Sequence, residues 1–228
     1  TCALCRDEGY VYDPSRRMCA CFETELNRRM LKELGLNHEH TFENFDPETF
    51  QKDSPQPLTQ RQTMLRNRAV CEAYADAYPD TEVSDLLFTG QSGLGKTYLM
   101  HAVAHRVTER GFAVEYLSAF KLLDVMRRAY FENNSGALDA LIAVPLLLID
   151  DLGTEPLMEN ITVTQLFNLL NERQNRAVHT VISTNLTIPE LKARYTERIA
   201  SRLLDESRCK TLKFIGDDVR PTLKKKNA

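Results

Sequence analysis

Along the chain, short apolar runs alternate with stretches whose apolar residues recur every three or four positions, and this alternation predicts a parallel sheet flanked by helices. Asp85-Leu86-Leu87-Phe88-Thr89 reads as a buried strand, and Leu99, Val103 and Val107 mark one face of a helix over 98–110. Beyond it, strands are expected over 113–117, 145–149, 180–183 and 211–215, with helices over 119–131, 163–175 and 189–206. Upstream, 23–34 is charged with helical spacing and stops at Gly35, and a further helix over 59–78 is ended by Pro79-Asp80. Between these two, His40-Thr41-Phe42-Glu43-Asn44-Phe45-Asp46 with Pro47, Pro55 and Pro57 reads as a linker carrying aromatic anchors. No internal repeat is evident.

The fold class is therefore α/β. At 228 residues the chain accommodates one domain of ordinary size plus something small. No apolar run is long enough to span a bilayer and the amino end has no signal-peptide pattern, so a soluble, cytoplasmic protein is expected. A net charge of −3 excludes a polycation, and any nucleic-acid contact must come from a local basic patch. The chain opens on Thr1 with no initiator Met and a cysteine second, which points to a fragment whose amino-terminal part has been removed.

Chemistry enters at Gly90-Gln91-Ser92-Gly93-Leu94-Gly95-Lys96-Thr97, which fills every position of the phosphate-cradling pattern G-x-x-x-x-G-K-[ST]. The glycines let the backbone close around phosphates with its N–H groups pointing inward, and the helix that follows aims its positive end at the same anion. Lys96 would reach the β- and γ-phosphates and Thr97 would hold Mg2+. A Gly-rich turn can match by chance, but a strand before and a helix after are the context that a nucleoside triphosphate site requires.

Leu146-Leu147-Leu148-Ile149-Asp150-Asp151 is an apolar run ending in two carboxylates, which places the acids at the carboxyl edge of the sheet beside the phosphates. Asp150 would orient Mg2+ through its water shell, and Asp151 could polarise the attacking water as a general base. Taken alone, the run is also a strand ending in a polar turn. Asn185 closes the next core strand and would project toward the same edge to hold the lytic water or touch the γ-phosphate; an asparagine also suits the turn into 186–189.

Four of the six cysteines crowd one end. Cys2 and Cys5 form C-x2-C, Cys19 and Cys21 form C-x-C, and Pro14-Ser15 marks a turn between them. Two close pairs joined by a short hairpin suit a structural, tetrahedral zinc site; unligated or redox thiols are the other reading. Cys71 and Cys209 read as small apolar residues. The resulting division is a zinc-binding segment and helix over 1–36, a linker over 37–58, an ATPase domain over 59–220 and a basic tail over 221–228.

Together these residues resemble the AAA+ ATPases of the bacterial helicase-loader family of the DnaC/DnaI type, with the IstB transposition helpers as close relatives. The resemblance spans nearly the whole chain. Cys2 to Cys21 looks like the zinc-binding segment ahead of the ATPase module, Thr41-Phe42-Glu43-Asn44-Phe45 like the entry into it, 90–97 like Walker A, 146–153 like Walker B, and Asn185 like sensor 1. Asp151 departs from the Glu that most AAA+ proteins carry, which implies slow hydrolysis. Glu197-Arg198-Ile199-Ala200-Ser201-Arg202-Leu203 resembles the family's E-R-x-x-S-R box, and 216–220 its sensor 2.

Carried over, Arg202 would be the arginine finger for the neighbouring subunit's γ-phosphate, Arg198 a supporting interface residue and Arg220 a cis contact to the nucleotide. Without the resemblance, Arg198 and Arg202 are two solvated arginines on a charged helix. The resemblance implies ATP/ADP, Mg2+ and Zn2+ as cofactors. It also implies self-assembly through ATP-bridged interfaces, a replicative DNA helicase as partner and single-stranded DNA as ligand. Lys121, Arg127, Arg128, Tyr130 and Phe131 interleave bases and aromatics as DNA contact requires, although such aromatics are equally at home in a core. A transposition helper ATPase and a nucleotide-binding adaptor with little turnover are the alternative functions. A small-molecule kinase would need a lid and an acceptor pocket in place of the Arg box.

Overall fold

In the computed structural model, residues 2–12, 16–53, 57–132, 134–158 and 161–226 are described; Pro14-Ser15 and Pro55 lie outside them. The cysteine end forms an antiparallel hairpin, β1 (Tyr10–Tyr12) with β2 (Arg16–Met18), followed by α1 (Ala20–Glu33). After a segment holding a 3-10 turn at Pro47–Thr49 comes α2 (Gln60–Ala77), started by a capping box in which Thr59 and Gln62 satisfy each other's backbone N–H. Then follow β3 (Asp85–Thr89), α3 (Lys96–Glu109), β4 (Val114–Ser118), α4 (Ala119–Phe131), α5 (Gly136–Ala143) and β5 (Leu146–Leu152). The chain continues with α6 (Thr162–Asn175), β6 (His179–Thr184), α7 (Ile188–Leu203), β7 (Cys209–Lys213) and α8 (Arg220–Lys226).

The five long-range strands pair in parallel in the order β4-β5-β6-β3-β7. Alternate side chains explain why the strands read as unbroken apolar runs. From β3, Leu86 and Phe88 enter a core with Leu99 and Val103 of α3, whereas Leu87 enters a second core with Leu166 and Leu169 of α6 and Ile199 of α7. Each such fully buried side chain contributes about 2 kcal/mol of hydrophobic stabilisation.

The aromatic anchors upstream of α2 belong to the first core: Phe42 and Phe50 are buried, Phe45 stacks on Phe50 at 5.6 Å, and Arg106 of α3 pairs with Glu43 and Asp76 at 2.5 Å each. A buried cation stands on the other side of the sheet. Arg173 of α6 is fully buried and donates to the carbonyls of Leu141, Val144 and His179. Two of these lie at the end of α5, so its guanidinium satisfies helix carbonyls that would otherwise be orphaned.

Several elements depart from the pattern in the sequence: α1 starts at Ala20 rather than 23, β5 runs on to Leu152 rather than ending at 149, α7 stops at Leu203 rather than 206, and three further departures have a visible cause. α3 begins at Lys96 rather than 98, because Gly95 takes a left-handed conformation (φ 91°) and serves as its N-cap. β7 lies two residues earlier than expected, because the register Asp85 to Cys209 through Thr89 to Lys213 buries Cys209 and Leu212. α7 is interrupted at Thr196, whose φ of 75° and ψ of 158° no helix contains. Among the described residues no helix is long and apolar enough to cross a membrane.

Candidate active site

The parallel strands β3, β5 and β6 deliver their last residues to one edge of the sheet, and the predicted loop, acids and asparagine meet there. Gly93 has a φ of 79°, and a Cβ on it would come within 2.1 Å of Asp218 Oδ1, so no other residue fits that turn as it stands. Lys96 is only 4% exposed. Its ammonium donates to the carbonyls of Gly90 at 2.6 Å and Gln91 at 2.7 Å and to Asn185 Oδ1 at 2.8 Å, which employs its full donor capacity. Burial lowers its pKa, and the charges of Asp151 and Asp150 oppose that shift.

Asp150 is the most constrained group of the site. Its Oδ2 accepts from Thr97 Oγ1 at 3.0 Å and from the Tyr116 hydroxyl at 2.8 Å, while Oδ1 accepts from Ser183 Oγ and from the Asp151 N–H at 3.1 Å. Four donors around one carboxylate fix its orientation and leave Thr97 Oγ1 and Asp150 Oδ2 side by side, a pair of hard oxygens suited to Mg2+. Asp151 stands differently. The β5–β6 pairing slips between Ile149 and Leu152, and Asp151 takes a left-handed φ of 57° that turns its side chain out of the ladder. Its carboxylate accepts from Asn185 Nδ2 at 3.2 Å, and its pKa is raised by burial and then by Asp150.

These groups face a cavity of about 510 Å³. Lys96, Thr97, Asp151 and Asn185 supply polar lining, and Phe45, Phe50, Val219 and Leu223 apolar lining, a mixture suited to a phosphate chain with an attached base. Arg220 lines the same cavity and is held by Asp218 at 2.6–2.9 Å. Gln91, Ser92 and Leu94 complete the loop. Tyr116, Ser183 and Phe50 were not legible as site residues: each reaches the site by a contact far away in sequence and carries no motif of its own, whereas Val219 falls within the 216–220 motif without having been singled out.

Arg202 lies elsewhere. It borders a small recess with Asp85, Thr180 and Cys209, which are at or near the first residues of their strands, so it stands at the edge of the sheet opposite Lys96. Its guanidinium donates to Asn171 Oδ1 at 2.5 Å and Gln174 Oε1 at 3.1 Å of α6. Arg198 is exposed on the same part of α7. The two residues expected to share a face thus differ in exposure, since α6 covers one of them.

The Sγ atoms of Cys2, Cys5, Cys19 and Cys21 all lie within 4.8 Å of one another, with Cys5 to Cys21 at 3.3 Å, Cys19 to Cys21 at 3.5 Å and Cys2 to Cys19 at 3.8 Å. Backbone N–H groups of Cys5 and Leu4 draw the Cys2 thiol down to about 6. Cys71 and Cys209 are buried and separate from this cluster. On α4, Phe120 is 64% exposed, Phe131 63% and Tyr130 52%, beside exposed Lys121 and Arg128, and Asp124 pairs with Arg127 at 3.0 Å and Arg128 at 2.8 Å. These aromatics are not core, and Phe120 extends the set that the sequence pointed to.

Comparison with known proteins agrees with this geometry. The family model described as IstB-like ATP binding protein matches residues 23–227. The replicative helicase loader DnaC of Escherichia coli K12 is 26% identical over 171 residues, 68% of each chain. Among solved structures, DnaI superposes with a TM-score of 0.61 at 20% identity, covering 83% of this chain and 93% of that one. The replication initiator DnaA bound to AMPPCP and single-stranded DNA gives 0.63 at 20% identity, covering 84% of this chain and 56% of that one. At these identities the structural likeness establishes the AAA+ P-loop fold.

Proposed function

The chain belongs to the IstB-like ATP-binding protein family, an AAA+ ATPase group akin to DnaC, and we propose from that premise that it is an ATP-dependent helicase loader whose nucleotide sites are completed between subunits. The observation that carries the reading is the separation of the parts: Lys96, Thr97, Asp150, Asp151 and Asn185 share one edge of the sheet, and Arg202 stands at the other.

Phosphates would take the N–H groups of 90–97 and the Lys96 ammonium, which would exchange the Gly90 and Gln91 carbonyls for phosphate oxygens. Thr97 and Asp150 would hold Mg2+, whose charge offsets that of the β- and γ-phosphates. Asp151, fixed by Asn185, would orient the attacking water and accept its proton, its raised pKa bringing it nearer the working range of a base. Arg220 would contact the nucleotide in cis. Arg202 of one subunit would stabilise charge on the γ-phosphate held by the next, with Arg198 supporting that junction.

The four sulfurs suit zinc, since a tetrahedron with Zn–S of about 2.3 Å has S–S edges of about 3.8 Å. Such a site, with no open position, would organise residues 1–36. The stretch 37–58 would join that segment to an ATPase domain over 59–220, with a basic tail over 221–228. Exposed Phe120, Tyr130 and Phe131 beside Lys121, Arg127 and Arg128 support single-stranded DNA as the ligand of α4, and a cytoplasmic location follows from these partners. The family model also favours a second reading, a transposition helper with the same ATPase core.

The test is ATP turnover with and without single-stranded DNA, together with capture of purified replicative helicase by the full-length protein. DNA-stimulated turnover with helicase capture is expected. Turnover with capture of a transposase instead would favour the second reading, and nucleotide binding without turnover would favour an adaptor.

A further inference from the structure

We propose that Glu155 is a positioning residue that transmits the state of the acid loop to the segment of α7 bearing Arg198 and Arg202. The proposal rests on the reading of Arg202 as a residue acting on the neighbouring subunit.

Glu155 lies in the loop leaving β5 and is only 3% exposed. A buried carboxylate is costly unless its oxygens are paired, and here they are divided between two parts of the fold. Oε2 accepts the Gly153 N–H at 2.8 Å, and the same loop returns to the acid where Thr154 donates from its N–H at 3.2 Å and its hydroxyl at 2.8 Å to the Asp151 carbonyl. Oε1 accepts the hydroxyl of Tyr195, which is fully buried in α7, and the Glu155 carbonyl accepts from Arg194 Nη2. Hydrogen bonds therefore connect the Asp151 carbonyl, by way of residues 153–155, to Arg194 and Tyr195 in the middle of α7.

Directly after Tyr195 the helix breaks. Thr196 has φ 75° and ψ 158°, a conformation that a β-branched residue adopts only where its surroundings impose it, at a cost on the order of 1–3 kcal/mol. The surroundings do so from both sides: Glu155 pins Arg194 and Tyr195 before the break, and Ile199 and Ala200 are buried after it. The helix that resumes carries Arg198, exposed, and Arg202, docked on Asn171 and Gln174. Any displacement of the 151–155 loop moves the pin, and the strained residue is where α7 yields. A subunit would in this way report its own nucleotide state through the arginines it offers to the next.

The experiment mixes full-length variants and measures ATP hydrolysis, using Tyr195→Phe, which removes one hydroxyl, and Glu155→Gln as an independent second probe. Each alone is expected to fold and to bind ATP as the parent does, with Tyr195→Phe somewhat lower in thermal midpoint because a buried carboxylate oxygen loses its hydroxyl donor, and to lose about two- to thirtyfold of assembly-dependent hydrolysis. Mixing with Asp151→Asn should restore activity, because an intact nucleotide site then meets an intact arginine; mixing with Arg202→Ala should not.

The reverse pattern would place the effect in the variant's own nucleotide site and overturn the proposal. Rescue by neither partner, or undiminished hydrolysis by both variants alone, would reduce the pair to packing and overturn it too. The reference mixture of Asp151→Asn with Arg202→Ala separates the two layers: if it regains no activity, the trans role of Arg202 fails, and the proposal falls with it for that stated reason.

Discussion

Lys96 and Asn185, 89 positions apart, are joined by a hydrogen bond of 2.8 Å, and the same asparagine amide donates to Asp151 at 3.2 Å. One side chain thus fixes both the cation of the phosphate loop and the second acid. The two ends of Asn185 have different expected effects. Asn185→Ala should leave ATP affinity within about threefold, since Lys96 can still exchange its two loop carbonyls for phosphate oxygens, while the turnover rate falls about tenfold or more because Asp151 loses its orienting partner. Steady-state kinetics beside direct nucleotide titration checks this split.

Lys96→Ala is the harsher change. It removes a charge-assisted contact of about 1.5–3 kcal/mol, so ATP should bind about ten- to a hundredfold more weakly. Isothermal titration with the non-hydrolysable nucleotide reads the loss directly; unchanged affinity would contradict the placement of the triphosphate.

Protein purified without chelator should carry one zinc per chain. Cys19→Ser should lower that content and expose the 2–36 segment to proteolysis while the nucleotide domain keeps its unfolding transition, because metal binding at such a site is folding free energy for that segment alone. Elemental analysis beside limited proteolysis checks both parts.

Asp85 gives a pH dependence. Burial pushes its pKa up to about 6, and its Oδ1 accepts the Thr180 N–H at 3.0 Å. The folded state therefore holds this proton more tightly than the unfolded one. Its contribution to stability is complete below about pH 4 and is lost as pH rises to about 6, by about 3 kcal/mol at most. Asp85→Asn keeps an acceptor oxygen and cannot titrate. Its urea midpoint, relative to the parent's, should rise between pH 4 and pH 6 and stay level above that range.

Exposed Phe120 and Phe131 should matter to DNA and not to folding. Replacing both with Ala should weaken binding of a fluorescent oligothymidylate about tenfold or more, since each stacked base is worth about 1–3 kcal/mol, and leave thermal unfolding nearly unchanged. Fluorescence anisotropy at fixed salt is the measurement.

What the sequence disclosed was whatever is local. The phosphate loop is eight consecutive residues, the acids end an apolar run, and the strands read as unbroken because both faces of the sheet are covered, Leu86 and Phe88 by one core and Leu87 by the other. The supports of the site were hidden because they act across the sheet. Tyr116 and Ser183 reach Asp150 from 34 and 33 positions away, and Tyr195 reaches Glu155 from 40, so no spacing rule singles them out. α5 was unassigned because it is a single short helix starting on Gly136, with nothing charged after Asp139 to end it. The break at Thr196 lies inside a segment whose composition is wholly compatible with helix; packing on both sides, not propensity, makes it.

The placement of Lys96 and Arg202 at opposite edges of one sheet would also set a rate law for a reaction in which Arg202 acts on a neighbouring subunit. A parallel strand of five residues spans about 17 Å, and no rotamer of either side chain closes that distance within one chain. A reaction that needs both is therefore second order in protein. With Arg202 acting in trans, dilution would be its off switch and local crowding its on switch, and a covalent tandem of two copies would turn it first order, indifferent to concentration.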